Sequence, residues 1–139
     1  MVQLIVGNKG KGKTKVLLDK VNSAIKSANG SIVYLDKSSK HMYELNNKVR
    51  LIDVTEYPIK NNEQFVGFVA GIISQDHDLE AMYLDGFLKI AQLEDKDPTE
   101  TINELEEISK AYNVDFVISI SIELDKVDAS LKDKVVVSL

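Results

Sequence analysis

Between Gly7 and Thr14 the chain reads GNKGKGKT, a glycine-spaced loop that ends in a lysine and a threonine. The spacing G-x-x-x-x-G-K-[ST] falls on Gly7, Gly12, Lys13 and Thr14. Each residue type answers a need of anion binding. Glycines let the backbone turn tightly and aim its N–H groups inward, forming a cradle at a helix N-terminus. Lysine supplies a compact positive charge for the β- and γ-phosphates of a nucleotide, and the threonine hydroxyl is a ligand for Mg²⁺. Asn8, Lys9, Gly10, Lys11 and Lys15 complete the stretch, with Lys9, Lys11, Lys13 and Lys15 crowded into seven residues.

Such a loop works only between a strand and a helix, and the flanking pattern predicts both. Val2 to Val6 is a short apolar run that ends at Gly7, as a buried strand would. From Thr14 onward Val16, Leu17, Val21, Ala24, Ile25 and Ala28 recur at three- and four-residue spacing, which predicts an amphipathic helix stopping at Asn29-Gly30. Further strands are expected at 31–36, 49–54, 81–86, 114–122 and 134–139. Helices are expected at 38–47, at 61–75 behind an Asn cap, and from Asp97-Pro98 along Ile102, Leu105, Ile108 and Tyr112. The glycines of the 61–75 helix suggest close packing on a sheet.

Strands alternating with helices imply a mostly parallel sheet covered on both sides, a three-layer α/β/α fold in one domain over residues 1–139. Ligands of such sheets bind beyond the carboxyl ends of the strands. That edge gathers Gly7–Thr14, Asp36–Ser38, Asp53–Glu56, Asp85-Gly86 and Ser119–Ser121, and leaves His77 and Arg50 opposite. About ten residues separate the last two strands, which predicts an antiparallel edge strand at the C-terminal end.

These motifs look like the Walker A loop of the P-loop NTPases. Gly10 makes the loop G-x-x-G-x-G-K-T, the form common in the RecA-like and AAA-type branch. The AMYLD segment resembles a Walker B strand. The resemblance implies an ATP site in which Lys13 faces the phosphates and Thr14 and Asp85 serve Mg²⁺. It also implies that one strand separates the Asp85 strand from the first. Relatives that hydrolyse ATP quickly carry a water-polarising glutamate beside the Walker B aspartate or on a neighbouring strand. Here Gly86 follows Asp85, and Asp36 and Glu56 are the remaining carboxylate candidates. Loop-level similarity extends to pilus-retraction ATPases, whose additional N-terminal domain and acidic and histidine boxes have no counterpart here.

Bulk properties fit this reading. Residues 1–50 hold ten Lys and Arg against three Asp and Glu, and residues 51–139 hold seven against nineteen. The positive part suits a polyanion such as a nucleotide; the acidic remainder disfavours nucleic acid. Without cysteine there are no disulfides and no thiolate sites, which fits a cytoplasmic protein. No run approaches a membrane span, and Met1 leads directly into a core-like strand, so no leader is expected.

Other constellations lead nowhere. His41 and His77 lack spacing partners and read as surface residues. The tyrosines, Tyr34 among them, fall at element edges and form no stacking platform. Glu94, Asp95 and Asp97 read as a solvated loop or a weak cation site. Ser119 and Ser121 read as sheet residues facing a polar neighbour, with γ-phosphate sensing the alternative. ATP is favoured over GTP because no guanine-reading Asn-Lys-x-Asp element follows a strand.

The expected function is ATP binding with Mg²⁺ and slow or partner-stimulated hydrolysis, with a protein partner or a second copy of the chain as stimulator. The alternative is a nucleotide-gated interaction module in which ATP orders the segment around Asp36–Lys40. A small-molecule kinase, which would need an acceptor site, and a motor subunit rank lower.

Overall fold

The computed structural model describes residues 1–139. Six strands form one sheet: β1 (Val2–Val6), β2 (Ser31–Asp36), β3 (Arg50–Asp53), β4 (Leu79–Leu84), β5 (Asp115–Ile120) and β6 (Val135–Ser138). Their order is β3-β2-β4-β5-β1-β6, and every pairing is parallel. The helices are α1 (Lys13–Ala24), α2 (Asn62–Ser74), the single turn α3 (Phe87–Ile90) and α4 (Thr99–Tyr112). The sequence pattern does not announce α3. No helix is long and apolar enough to cross a membrane.

Alternation along the strands sorts the core into two layers. In β2, Val33 and Leu35 join a 25-residue cluster with α2 and α4, built around Phe65, Val69, Ile102 and Leu105. Ile32 and Tyr34 point the other way into an 11-residue cluster under α1, with Leu17, Leu18 and Val21. Because both faces are covered, the central strands read as continuous apolar runs rather than alternating ones.

The predicted antiparallel edge strand is not what forms. β6 lies parallel beside β1 rather than beside β5, pairing Leu4 with Val135 and Ile5 with Val137. The chain from residue 121 to 134 meets the length of about a dozen residues that a parallel crossover needs, and it carries two 3-10 segments, Leu124–Lys126 and Ala129–Lys134. Val127 and Leu131 anchor it in the larger cluster.

Two helix expectations also change. Residues 38–47 form only a 3-10 turn, Met42–Glu44. Side-chain bonds to the backbone compete with helix there: the Ser38 hydroxyl accepts from Lys40 N–H, and Asn46 Oδ1 accepts from Lys48 N–H. In α2, Asn61 caps as expected by accepting from Gln64 N–H. Gly67 and Gly71, however, face open space, because Phe65, Val69, Ile72 and Ile73 occupy the packed side.

The glycine that packing does demand is Gly30, at the entrance to β2. A Cβ there would stand 1.9 Å from the Asp78 carbonyl oxygen, which accepts from Ser31 N–H at 2.8 Å. That contact joins the amino ends of β2 and β4, so neither backbone can yield alone. Gly30→Ala should cost about 3 kcal/mol, the upper range for overpacking, and lower the melting temperature by roughly 10 °C. Scanning calorimetry checks this, and an unchanged melting temperature would mean the two strands separate freely at this edge.

Candidate functional site

Since all strands run in one direction, their carboxyl ends share an edge. The register places Leu35, Leu84 and Ile118 side by side, so Asp36, Asp85 and Ser119 follow at one level. Val6 pairs with Ile120, which brings the loop after β1 to the same edge.

That loop turns through positive φ at Gly10 and at Gly12, where φ is 97°. A side chain at Gly12 would be strained there, whereas glycine adopts this conformation at no steric cost. The turn leaves a consequence in the hydrogen bonding. No backbone N–H from Asn8 to Lys15 donates a bond within the chain, and no side chain caps α1. Successive free amides at the start of a helix form an anion-binding concavity. Around it, the Asn8 side chain is tied to Glu123 at 2.7 Å, and Gly7 N–H bonds the Ile122 carbonyl at 2.9 Å.

Lys13 is the one lysine of the loop that turns inward. It is 8% exposed, and its Nζ donates to the Asn8 carbonyl at 2.9 Å. Burial lowers its pKa, Asp85 opposes that fall, and Lys37 adds to it. Lys9, Lys11 and Lys15 are exposed, with Lys15 paired to Asp19 on α1.

Asp85 is the hub of the site. It is buried, and three hydroxyls donate to it: Tyr34 to Oδ2 at 2.8 Å, Ser119 to Oδ1 at 2.8 Å and Thr14 to Oδ1 at 3.3 Å. Ser119 in turn accepts from Gly86 N–H at 3.0 Å. Ser119 thus faces a polar neighbour, as its alternation suggested, and that neighbour is Asp85. Tyr34 is not at an element edge but fully buried, because β2 turns it toward α1. Burial, then the Asp85 carboxylate, pushes its phenol up, which keeps it a donor. Sequence reading missed this partnership; its only trace is the Tyr34 position two residues before Asp36 on the neighbouring strand.

Asp36 is 2% exposed. Its Oδ1 accepts from Lys37 N–H at 2.7 Å, while Oδ2 has no partner. Burial and the adjacent Asp85 raise its pKa to about 6. The protonated form is therefore favoured in the fold. Its stabilising contribution is complete below the unfolded value near 4 and is lost as pH rises through 6. In metal-free buffer, Asp36→Asn should abolish that decline and gain up to roughly 3 kcal/mol at pH 8. Urea titrations at pH 4 and pH 8 measure it; identical profiles for parent and variant would show that Asp36 titrates normally.

No protein-family model matches this chain, and no curated protein matches its sequence.

Lys13, Thr14, Asp36, Asp85 and Ser119 line one cavity of about 200 Å³ with Gly10 and Gly12, and no apolar side chain enters it. Lys37, Lys40 and His41 also line it. His41, expected as an isolated surface residue, bonds Glu44 at 3.0 Å and is a wall of the site. Glu56 stays outside. It is exposed in a 3-10 turn after β3, the edge strand, with β2, β4 and β5 between it and β1. Arg50 pairs with Asp76, before β4, at the opposite edge. No three Asp, Glu or His side chains come together to hold a metal. A cation here would meet the Thr14 hydroxyl and Asp85 and take its remaining oxygens from a ligand or water, which suits Mg²⁺ rather than Ca²⁺.

Proposed function

We propose that this chain is an ATP-binding protein of the P-loop NTPase type, in the RecA-like branch, with slow or partner-stimulated hydrolysis. The observation that carries this is the run of free amides from Asn8 to Lys15 opening beside inward-turned Lys13. A chain of phosphates fits that combination better than a single anion, because amides, ammonium and Thr14 succeed one another along the loop. The position of β5 between β1 and β4 agrees with the strand order of that branch.

Thr14 and Asp85 would hold Mg²⁺, which neutralises charge on the phosphates when bound. In hydrolysis, the loop amides and Lys13 stabilise charge on the γ-phosphoryl oxygens as attacking water displaces ADP. Asp36 is the one carboxylate in the cavity besides Asp85 and has a free oxygen, so it is placed to orient that water. Its raised pKa leaves it mostly ionised only above about pH 6. No arginine reaches the site, and such a residue can be worth about 10³ to 10⁵ in rate. An isolated chain therefore turns over slowly.

A second reading has its own observation. Met42 and Tyr43, the latter 92% exposed, follow directly on Lys40 and His41 in the cavity wall. A nucleotide touching that wall would reposition two exposed apolar side chains, which is what a nucleotide-gated interaction module requires.

Thermal shift with ATP, ADP and GTP, each with and without Mg²⁺, tests the assignment. ATP at a hundred times its Kd should add ~2.7 kcal/mol, exceed GTP and deepen with Mg²⁺. No shift with any nucleotide sinks the ATP reading. A shift without measurable phosphate release selects the interaction module.

A further inference from the structure

A second cavity, of about 340 Å³, adjoins the first and shares Lys9, Lys37, Gly86 and Ser121 with it. Its remaining walls come from α3 and the segment after it, which contribute Lys89, Glu94 and Asp95. Leu88 is its only apolar wall. From the sequence, Glu94 and Asp95 read as a solvated loop or a weak cation site.

We propose that this cavity binds a small phosphorylated compound carrying hydroxyl or amino groups, such as a sugar phosphate, beside the terminal phosphate of the nucleotide. The placement next to that phosphate rests on the ATP reading; the site itself rests on its own walls.

Three lysines and two carboxylates face one space, yet none of the five is ion-paired. All five are solvent-exposed, and no opposite charges among them close on one another around the shared gap. Lysine ammoniums are donors only and ionised carboxylates acceptors only. A ligand that satisfies both kinds of group combines an anionic group with several O–H or N–H donors. Three lysines against a single anionic group favour a phosphate dianion over a carboxylate. The volume lies near the lower limit of small-molecule sites, ~300–1,000 Å³, which suits one sugar phosphate. With one apolar wall, a lipid or a flat aromatic ligand finds little to bury against.

The shared walls join this ligand to the first cavity. Lys37 and Gly86 flank Asp36 and Asp85 in sequence and line both spaces. An occupant of the second cavity would stand between solvent and the end of the phosphate chain. It would therefore exclude water there or take its place.

The experiment fills the loop with Mg²⁺ and a non-hydrolysable ATP analogue, then titrates ribose 5-phosphate by calorimetry. Saturable binding to the loaded protein is expected, with ribose inert and inorganic phosphate weaker. Lys89→Glu, an exposed position that touches only the second cavity, should weaken ribose 5-phosphate at least tenfold and leave analogue affinity unchanged. Absence of saturable binding to the loaded protein, or equal affinity in Lys89→Glu, overturns the proposal. Should the analogue itself fail to bind, the ATP reading fails separately. The titration is then run on Lys13→Ala, which keeps phosphate out of the loop: a Lys89-dependent signal sustains the second site, and its absence overturns it.

Discussion

Lys13→Ala should weaken Mg²⁺-ATP binding about a hundredfold or more and leave the melting temperature of the free protein unchanged or slightly raised. In the free protein the ammonium is nearly buried, and its sole partner is the Asn8 carbonyl. Burial lowers its pKa, so the fold does not gain from its charge. Removing it costs the free protein one hydrogen bond and relieves a desolvated cation. The nucleotide complex is affected differently. An ammonium facing phosphate oxygens makes charge-assisted bonds worth about 1.5–3 kcal/mol each, and losing one or two of them amounts to roughly a hundredfold in Kd. Calorimetric titration gives the affinity and a thermal scan gives the fold. Unchanged affinity in a folded variant would remove Lys13 from the site.

Asp85→Ala should be the most damaging change in the cavity, costing about 3–5 kcal/mol of stability. Two of its three donors, Tyr34 and Ser119, are buried among sheet residues and have no other acceptor. Each hydroxyl left unsatisfied costs about 1–3 kcal/mol, and the vacated volume adds to that. Asp85→Asn separates structure from charge. Its amide oxygen still accepts, so roughly 1 kcal/mol is lost, while the anion expected to serve Mg²⁺ is gone. ATP binding in that variant should no longer deepen with Mg²⁺. The Asp36 pKa should also fall toward its ordinary value, since Asp85 is the second cause of its rise. Urea denaturation measures the stabilities, and a pH series on Asp85→Asn reads the coupling. If Asp85→Ala is as stable as the parent, the hydroxyl network contributes nothing to the fold.

The loop was legible in advance because its chemistry is local. Gly7, Gly12, Lys13 and Thr14 are close in sequence, and a strand before and a helix after them follow from apolar periodicity alone. The carboxyl-edge rule also placed Asp36 and Asp85 together correctly, since parallel strands bring their ends to one level whatever lies between. It could not tell neighbours from strangers along that edge. Glu56 obeys the same rule and sits outside the cavity, because β3 is the outermost strand. Strand order is a long-range property. It is decided by which crossovers pack, as the 3-10 segments before β6 illustrate, and by no pattern within a strand.

By itself, then, the order of residues determined the α/β alternation, the glycine-spaced loop between β1 and α1, and which carboxylates end strands at the carboxyl edge. Tertiary structure alone decided that Tyr34 and Ser119 hold Asp85, that Asp36 keeps an unpartnered oxygen, and that Lys89, Glu94 and Asp95 border a second cavity. The physical reason is separation. A cradle made of consecutive amides is written in consecutive residues. A hydrogen bond between residues 34 and 85, or a gap between residues 89 and 37, exists only once the sheet has brought distant strand ends side by side.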